Sequence, residues 1–323
     1  MKTLNVSWTK TILFACAVGG MLPACNKSNE PVGKGEAEFQ ITDAPADDAS
    51  VKSVFVTIAD IKVDGQSVSV FTKQTIDLKA YQNGSTKILG SSQVDAKAHG
   101  SVTLVLDADT DASGSAPGCY VMTTDNSKYK LSSGTIGLTI NKNWSVATGV
   151  KSTLVMDFDL RKSIRAMADQ SVRYNFVSND NLQSSVRLVS LDKAGGLSGT
   201  YAEQTSSNAD KVILYAYKKG SFNATTETVA QGDDAIFFKN AVSSAEVKTS
   251  LSGNTFKLAF LEEGDYELHF AAYGKSSTSD QFVFQNMLTA QTMLNGSMLS
   301  FVTVKNGTTL TISSVITGVL SGS

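Results

Sequence analysis

Apolar and polar residues alternate along most of the chain after residue 35, and short polar turns separate the apolar stretches. Val54, Val56 and Ile58 fall on one face of a predicted strand, because successive side chains of a strand point to opposite faces. The alternation then changes phase at Ala59–Asp60. One extra residue in a strand causes such a change, so the pattern predicts a β-bulge at this point.

Further strands are predicted where the same alternation recurs. Residues 101–107 (SVTLVLD) and 152–159 (STLVMDFD) have the apolar content of core strands. Asp64-Gly65 and Asn83-Gly84 are dipeptides that favour tight turns between strands. Many short strands separated by polar turns predict an all-β fold of the sandwich type.

One short helix is predicted beyond residue 159. Leu160, Ile164 and Met167 are spaced i, i+4 and i+7, which places them on one side of a helix. Asp159 directly precedes them and is expected to cap the helix. Asp157, two residues earlier, is expected to make a turn or loop contact.

The composition changes at residues 193–196, which we interpret as the boundary between two domains. The sequence GGLSG (195–199) is interpreted as a linker, because no lysine follows it where a phosphate-binding loop requires one. Further on, two alternating strands flank residues 262–265 (EEGD), and this arrangement predicts a tight hairpin.

The first 24 residues have the layout of an export signal. Two lysines precede a short apolar stretch, which ends in small residues and is shorter than the roughly 20 residues of a spanning helix. The stretch ends Leu22-Pro23-Ala24-Cys25, the pattern of a lipobox, in which the cysteine thiol is acylated before cleavage. We therefore expect a lipoprotein anchored through Cys25 by acyl chains such as palmitate. An ordinary secretory signal is the alternative.

The predicted organisation is two tandem β-sandwich domains after a lipoprotein signal and a flexible tether. The expected location is the outer membrane of a Gram-negative bacterium, on its periplasmic or its outer face. The predicted segments are the signal peptide (1–24), the lipidated cysteine with a flexible tether (25–35), the first sandwich (36–192) and the second sandwich (197–320).

Charge and cysteine content narrow the possible partners. Removal of the signal leaves 26 basic and 30 acidic residues and no basic cluster, so we expect no nucleic-acid partner. Of the three cysteines, Cys16 is removed with the signal and Cys25 is acylated, which leaves Cys119 without a partner for a disulfide. Cys119 is expected to be a small, half-buried residue; a reactive thiol is the alternative.

The first predicted domain resembles a family of unknown function found in exported prokaryotic lipoproteins. The resemblance covers residues 35–192, and the chain lacks the proline that usually precedes the exit strand of that family. It rests on an opening TDAP strand pair (41–63), a central Asp-Leu element (75–81), an apolar strand that leads into DFDLRKSI (154–164) and an exit strand (186–192). The family has no assigned activity, so the resemblance implies no reaction.

The second predicted domain resembles the prealbumin-like sandwiches of the carboxypeptidase-regulatory type. They share an opening Ser-Gly strand, a phenylalanine-rich strand and a Leu-x-x-Gly-x-Tyr segment, here Leu261, Gly264 and Tyr266. The resemblance implies an accessory module of a secreted protein.

A calcium site is considered where Asp107, Asp109 and Asp111 alternate, since Ca²⁺ prefers several oxygen ligands. An EF-hand is excluded, because Ala112 and Gly118 occupy the positions that need glycine and glutamate. A looser calcium loop and a solvated acidic turn remain as alternatives. No other cofactor is predicted.

Two other acidic groups have structural interpretations. Asp43, Asp47 and Asp48 are expected to form a turn cluster near the first strand. Asp157 and Asp159 share a strand face, but paired carboxylates perform glycosidase chemistry only at a defined separation in a cleft. We expect no catalytic residue here.

Trp144 is the candidate ligand-binding residue, since the other tryptophan, Trp8, belongs to the signal. It could stack on a sugar from a loop, or it could cover the open end of a sandwich. His99 lies in a predicted turn, and His269 is expected to face away from the core side of its strand. Neither histidine has metal-ligand spacing.

These features predict a lipid-anchored, non-enzymatic binding or display module whose ligand is a glycan, a peptide or a protein. A fimbrial-type subunit or tip protein that assembles by strand exchange is the main alternative, with residues 308–316 (TTLTISSVI) as the donor strand. A metal-dependent hydrolase that uses the aspartates at 107, 109 and 111 is the third hypothesis.

Overall fold

The computed structural model describes residues 33–44, 50–167, 169–278 and 281–321. The predictions for the signal, for Cys25, for most of the tether and for Asp47 and Asp48 lie outside these residues. The described helices are short: α1 (Leu160–Ser163), α2 (Asn179–Ser184) and α3 (Ala224–Glu227). In this part of the chain, no helix is long and apolar enough to cross a membrane.

Two facing sheets form the first sandwich. A four-stranded sheet has the order β13-β10-β1-β5, and the facing sheet has the order β8-β7-β2-β6-β9, with β3 and β4 also paired to β2. The strands are β1 (Lys34–Ala44), β2 (Val51–Val63), β3 (Gln66–Ser67), β4 (Gln74–Asp77), β5 (Lys87–Asp95), β6 (Ala98–Asp107), β7 (Tyr120–Thr123), β8 (Lys128–Lys130), β9 (Thr135–Ser145), β10 (Lys151–Asp159), β11 (Ile164–Ala166), β12 (Tyr174–Phe176) and β13 (Val186–Ser190). Single 3₁₀ turns occupy Leu78–Ala80, Gln170–Val172 and Leu191–Lys193.

The predicted core strands of the first sandwich are confirmed. Val54, Val56 and Ile58 of β2 are fully buried in the core between the two sheets. The pairing of β2 with β6 changes register between Ile58 and Asp60, which confirms the predicted bulge. β6 and β10 cover the two other predicted core strands.

The predicted helix after residue 159 is only one turn long. Helix α1 ends at Ser163, and Ile164 begins β11, which pairs with β12. The pairing with β12 overrides the helical spacing of the apolar residues. Asp159 occupies the cap position, but its carboxylate makes no capping hydrogen bond.

One continuous sheet that folds over on itself forms the second sandwich. Its main order is β16-β15-β19-β20-β23-β14-β18-β17, with β21 paired to β20 and β22 paired to β19. Side chains of β14 and β18 pack against those of β15 and β19 in one apolar core. The strands are β14 (Ala194–Glu203), β15 (Lys211–Lys218), β16 (Ser243–Glu246), β17 (Lys248–Ser250), β18 (Gly253–Glu262), β19 (Gly264–Lys275), β20 (Phe282–Leu294), β21 (Ser297–Leu299), β22 (Val302–Val304) and β23 (Thr309–Ser321).

Two segments that were predicted from the sequence to lie outside the sandwiches belong to strands. Residues 195–199, interpreted as a linker, lie inside β14, where Gly196 and Leu197 are buried. Glycine is required there by close packing, because a Cβ on Gly199 would lie 2.4 Å from the Phe256 ring. Lys34 and Gly35, assigned to the tether, are the first residues of β1.

The hairpin predicted around residues 262–265 is wrong. β18 pairs with β14 and β17, whereas β19 pairs with β15, β20 and β22, so the two strands lie in opposite layers. Phe260 and Gly264 both have positive φ (55° and 146°) on either side of the point where the chain crosses between the layers. Alternation identifies each strand but does not show which strand it pairs with.

The C-terminal candidate donor strand lies in the interior of the second sheet. β23 pairs in parallel with β14 and antiparallel with β20. Ile312 and Ile316 of β23 are buried in the core. Strand exchange would therefore require β23 to leave two neighbours and an apolar core of its own chain.

Candidate functional site

Two sequence motifs of the first sandwich meet where it contacts the second sandwich. β1 and β10 are parallel neighbours, and their register places Thr42 beside Asp157 and Ala44 beside Asp159. The TDAP and DFD sequences therefore lie side by side at the ends of two central strands. Their carboxylates are buried, although carboxylates are rarely buried without a partner.

Asp159 is neutralised by two cations that follow it in α1. Its Oδ2 lies 3.0 Å from Nη2 of Arg161 and 3.4 Å from Nζ of Lys162. Burial acts to raise the pKa of Asp159, but the adjacent charges of Arg161 and Lys162 hold it below its ordinary value. The carboxylate is therefore ionised, and the two cations are fixed over it.

The same two cations bind the second sandwich. Arg161 donates to the backbone oxygens of Phe237 and Phe238, and its guanidinium lies 5.0 Å from the centre of the Tyr215 ring. Lys162 donates to the backbone oxygen of Ala241 over 2.6 Å. The segment that follows the DFD sequence is thus a contact surface between the sandwiches.

Arg187 repeats this arrangement on the neighbouring strand β13. Its Nε donates to Oδ2 of Asp157 over 2.8 Å, and its Nη1 donates to the backbone oxygen of Phe260 over 2.6 Å. Phe260 projects its carbonyl at the bulge of β18. Arg187 therefore joins the two sandwiches in the same way as Arg161.

Asp43 completes this set of buried charges. It accepts hydrogen bonds from the backbone nitrogen of Leu160 (3.3 Å) and from the side chain of Gln82 (3.0 Å). Burial raises the pKa of Asp43 well above its ordinary range, and the charges of Asp157 and Asp159 raise it further. We call Asp43, Asp157, Asp159, Arg161, Lys162 and Arg187 the junction cluster.

Asp234 of the second sandwich makes the reciprocal contact. It accepts hydrogen bonds from the backbone and hydroxyl of Ser178 and from the side chain of Asn181, and it pairs with Arg165 at 3.0 Å. Burial acts to raise the pKa of Asp234, but these hydrogen bonds and Arg165 hold it below its ordinary value. Asp234 of the second sandwich thus binds the N-terminal end of helix α2 of the first sandwich.

A cleft of about 370 Å³ lies beside these contacts. We call it the junction cleft. Of its seventeen lining residues, thirteen are aliphatic or aromatic, and its charged ones are Arg161, Arg165 and Asp234. Its most prominent apolar residues are Ile164, Tyr174, Phe237, Tyr273, Phe282 and Phe284. Both sandwiches contribute to the walls, so the cleft exists only when they are docked.

The structure does not bring the three candidate calcium ligands together. Asp107 binds Lys73 at 2.8 Å, Asp109 binds Lys130 at 2.9 Å, and Asp111 accepts hydrogen bonds from Ser113 and Ser115. Each of the three carboxylates has a pKa below its ordinary value because of these separate partners. Within the described ranges, no three Asp, Glu, His or Cys side chains are placed to hold a metal ion.

Trp144 lies in β9 and is 3% exposed. Its indole stacks on the imidazole of His99 with the ring centres 4.3 Å apart, so it presents no face to solvent for a sugar. His99 belongs to β6 and not to a turn, and its ring nitrogens lie 2.8 Å from Asp64 Oδ2 and 3.0 Å from the Asp95 backbone oxygen. The structure therefore supports the covering role of Trp144.

Fluorescence of Trp144 checks this placement, because residues 32–323 contain no other tryptophan. We expect emission at the short-wavelength end of the tryptophan range and weak quenching by acrylamide, with both changing sharply on unfolding in guanidinium. Maltoheptaose should leave the spectrum unchanged. Quenching of the folded protein as strong as that of free indole would contradict the buried position.

His269 faces away from the core that contains Leu268 and Phe270, as predicted. Its ring stacks on Phe222 with the ring centres 3.7 Å apart. Burial lowers the pKa of His269, and its carboxylate neighbour Glu267, 3.6 Å away, offsets only part of this effect. His269 therefore packs with the rings of Phe222 and Tyr217 on the face of its strand that points away from this core.

Cys119 is fully buried, more deeply than the sequence suggested. Its Sγ lies 3.5 Å from the backbone oxygen of Asp107. Burial raises the pKa of the thiol to about 11, so almost none of the reactive thiolate exists at neutral pH.

The reactivity of Cys119 can be measured on residues 32–323, which contain no other cysteine. We expect Ellman's reagent to leave the folded protein unmodified and to titrate one thiol after unfolding. A Ser113→Cys variant supplies the control, because position 113 is exposed and its added thiol should react at once. Rapid modification of the unsubstituted folded protein would contradict the burial of Cys119.

Sequence reasoning missed the cations and aromatic residues that build the site. Arg161, Lys162 and Arg187 received no role. The available signal was a pair of acidic residues followed closely by a pair of basic residues inside an apolar run, VMDFDLRKSI, where unpaired charges would be costly. The phenylalanines of the cleft come from two separate segments of the second half, FF at 237–238 and FVF at 282–284.

The described part of the chain is an all-β protein built from two packed sandwiches. Residues 34–178 match the profile of a domain of unknown function (DUF4382). This match confirms the resemblance to an unknown-function family for most of the first sandwich; the exit strand β13 lies beyond it. The prealbumin-like resemblance of the second sandwich stays a prediction. None of the curated protein sequences matches this chain.

Several solved structures show weak overall similarity. A leucine-rich repeat protein from Bacteroides thetaiotaomicron is 12% identical, with 88% of this chain and 26% of that chain covered and a TM-score of 0.23. The TIE protein of Bacillus anthracis is 13% identical, with 88% and 34% covered and a TM-score of 0.18. The minor pilin GBS52 of Streptococcus agalactiae is 10% identical, with 89% and 98% covered and a TM-score of 0.21. The chain thus spans about a third or less of the first two, and scores this low establish no shared fold.

Proposed function

We propose that this protein is a lipid-anchored, non-enzymatic binding module of the cell envelope, and that the junction cleft is its ligand site. The cleft is the observation that supports the proposal. Ligand sites are commonly concave, mostly apolar, within a few hundred Å³ in volume and located where two folded units meet. The junction cleft has all four properties.

We propose no catalytic role for the cleft, because its polar groups are bound to one another or to the backbone. Arg165 and Asp234 are paired to each other, and Arg161 is bound to Asp159 and to two backbone oxygens. Among the described lining residues, no serine, cysteine or histidine stands beside a base. The polar side chains hold the walls of the cleft in place.

The proposed anchor rests on the sequence that ends at Cys25. Incorporation of labelled palmitate into the full-length protein tests it, with Cys25→Ser as the variant. We expect label in the wild-type protein alone and release of the variant from the membrane fraction. Equal labelling of both proteins would refute the anchor without bearing on the cleft.

A thermal-shift screen of residues 32–323 against oligosaccharides, short peptides and small aromatic compounds tests the cleft. Val283→Lys places a charge at the cleft, where Val283 is 53% exposed, and Val229→Lys is the matched control at a valine that is 50% exposed and outside the cleft. We expect at least one class to raise the Tm of the wild type and the control but not of Val283→Lys. Equal shifts in all three proteins, or no shift with any class, would refute the proposal.

The fimbrial alternative has less support. Its candidate donor strand, β23, is paired on both sides within its own chain. A heat-stable ladder of the mature protein on gels would favour this alternative over a monomeric binding module.

A further inference from the structure

We infer that the junction cleft takes an uncharged, ring-bearing apolar ligand rather than a sugar or an ion. This inference rests on the proposed function and narrows the ligand class. Three observations carry it: the apolar side chains of the walls, the ion pairs among the charged residues, and the hydrogen bonds that the tyrosine hydroxyls already make.

The two sandwiches supply different kinds of apolar wall. The first contributes mostly aliphatic side chains, among them Val54, Leu160 and Ile164, with Tyr174 as its one ring. The second contributes a group of rings around Phe284, whose centre lies 6.0 Å from that of Phe237 and 5.9 Å from that of Tyr273. A ligand ring that packs against these rings gains both area burial and favourable edge or offset ring geometry.

The charges of the cleft are balanced within the protein. Arg165 pairs with Asp234, whose second oxygen already accepts three hydrogen bonds from Ser178 and Asn181. Arg161 is paired with Asp159. A charged ligand would lose its hydration in the cleft and would have to compete with these pairs for a counter-charge. Charge complementarity therefore favours an uncharged ligand.

The polar tips that a sugar would need are already engaged. The hydroxyl of Tyr174 lies 2.7 Å from that of Ser50, and the hydroxyl of Tyr273 lies 2.6 Å from that of Tyr215. Gln281, the remaining polar residue of the lining, is also engaged within the protein. The buried Nε of Arg165 has no hydrogen-bond partner in the described part of the chain, so it is one donor that a sugar could reach. Most sugar hydroxyls would still lose hydrogen bonds to water without regaining them.

The volume sets the size of the ligand. At about 370 Å³ the cleft is near the lower end of the range for small-molecule sites, which suits a compact ligand of no more than about three rings. N-Phenyl-1-naphthylamine has this size, carries no charge and becomes fluorescent in apolar surroundings.

Titration of residues 32–323 with N-phenyl-1-naphthylamine tests the inference. We expect saturable binding to the wild type and to Val229→Lys, and at least a tenfold loss of affinity in Val283→Lys. Ala166→Phe narrows the cleft without adding charge and should weaken binding to a similar degree, because Ala166 also lines it. Circular dichroism of each variant checks that it is folded.

Two competing probes separate this inference from the proposed function. The first is 1-anilinonaphthalene-8-sulfonate, the charged relative of N-phenyl-1-naphthylamine, which should bind no more tightly than the neutral dye. The second is maltoheptaose, which should displace neither dye. Tenfold tighter binding of the sulfonate, or Val283-dependent binding of the sugar, would overturn the ligand class and leave the cleft as a binding site. Dye binding that is equal in all variants would overturn both.

Discussion

Replacing Arg161 with alanine is expected to lower the free energy of unfolding of residues 32–323 by about 3 kcal/mol, the lower end of the cost of removing one partner of a buried ion pair, because Lys162 still lies 3.4 Å from Asp159. The side chain of Arg161 is 3% exposed and that of Asp159 is 11% exposed, so water cannot replace the lost charge. The variant also removes the guanidinium donor from the backbone oxygens of Phe237 and Phe238, of which Phe238 keeps its hydrogen bond from the backbone nitrogen of Ala241. Urea denaturation followed by circular dichroism measures the change.

The matched control for Arg161 is a cation in an exposed pair. Lys130 lies 2.9 Å from Asp109, but the two side chains are 43% and 54% exposed. Because exposed pairs contribute little, Lys130→Ala should change the free energy of unfolding by no more than about 1 kcal/mol. A loss of similar size in both variants would show that Arg161 has no special role at the junction.

Replacing Asp43 with asparagine is expected to remove a pH dependence that makes the wild type less stable as pH rises. The folded-state pKa of Asp43 is raised above its unfolded value, so the folded protein binds the proton over a pH range in which the unfolded chain has released it. Stability therefore falls as pH increases from about 4 towards the folded-state pKa, by up to about 1.4 kcal/mol per pH unit. Asp43→Asn carries no such proton, so its advantage over the wild type should grow through this range.

The measurement is the free energy of unfolding of both proteins in urea at several pH values from about 3, below the ordinary pKa of aspartate, to neutral. Asp95→Asn provides a control of the opposite sign, because a hydrogen bond from Lys34 lowers the pKa of Asp95. The stability that the ionised Asp95 gives to the wild type is fully present above the pKa of the unfolded chain and is lost as pH falls. A constant difference between Asp43→Asn and the wild type at all pH values would contradict the raised pKa of Asp43.

The strands β2 and β6 could be predicted because their buried face follows a two-residue period, and β10 could be predicted because its apolar run is buried on both faces. The bulge in β2 was predictable for the same reason, since a phase change in that period has one simple cause. The turn at Asp64-Gly65 was predictable because both residues need positive φ, which this dipeptide tolerates. All of these features depend on neighbours in the sequence.

Features that depend on distant partners could not be predicted in this way. The hairpin prediction failed because alternation does not say whether β18 pairs with β19 or with β14. The helix prediction failed because Ile164 pairs with Phe176 in a small sheet. The linker prediction failed because the glycines of β14 are required by close packing, Gly199 against the Phe256 ring and Gly195 against the Lys305 backbone oxygen, and not by chain flexibility.

The junction cluster was hidden for a similar reason. The oxygens that Arg161 and Lys162 bind belong to backbone groups 76 to 79 residues further along the chain. Any residue type can supply a backbone oxygen, so nothing in the sequence at Phe237 or Ala241 marks it as a partner. Trp144 was ambiguous because its polar neighbours in the sequence lie on the outer face of β9 while the indole lies on the inner face.

Both sandwiches pair an early strand in parallel with a late one. Glu38 of β1 and Lys151 of β10 are 113 residues apart, and so are Ser198 of β14 and Thr311 of β23. During synthesis, neither half can close its sheet until more than a hundred further residues have left the ribosome. Such non-local pairing also slows folding, because the closure of a long loop must precede the contacts that reward it. Slow closure of both sheets would suit the export that the sequence predicts, because an unfolded chain is the form that crosses a membrane through a narrow channel.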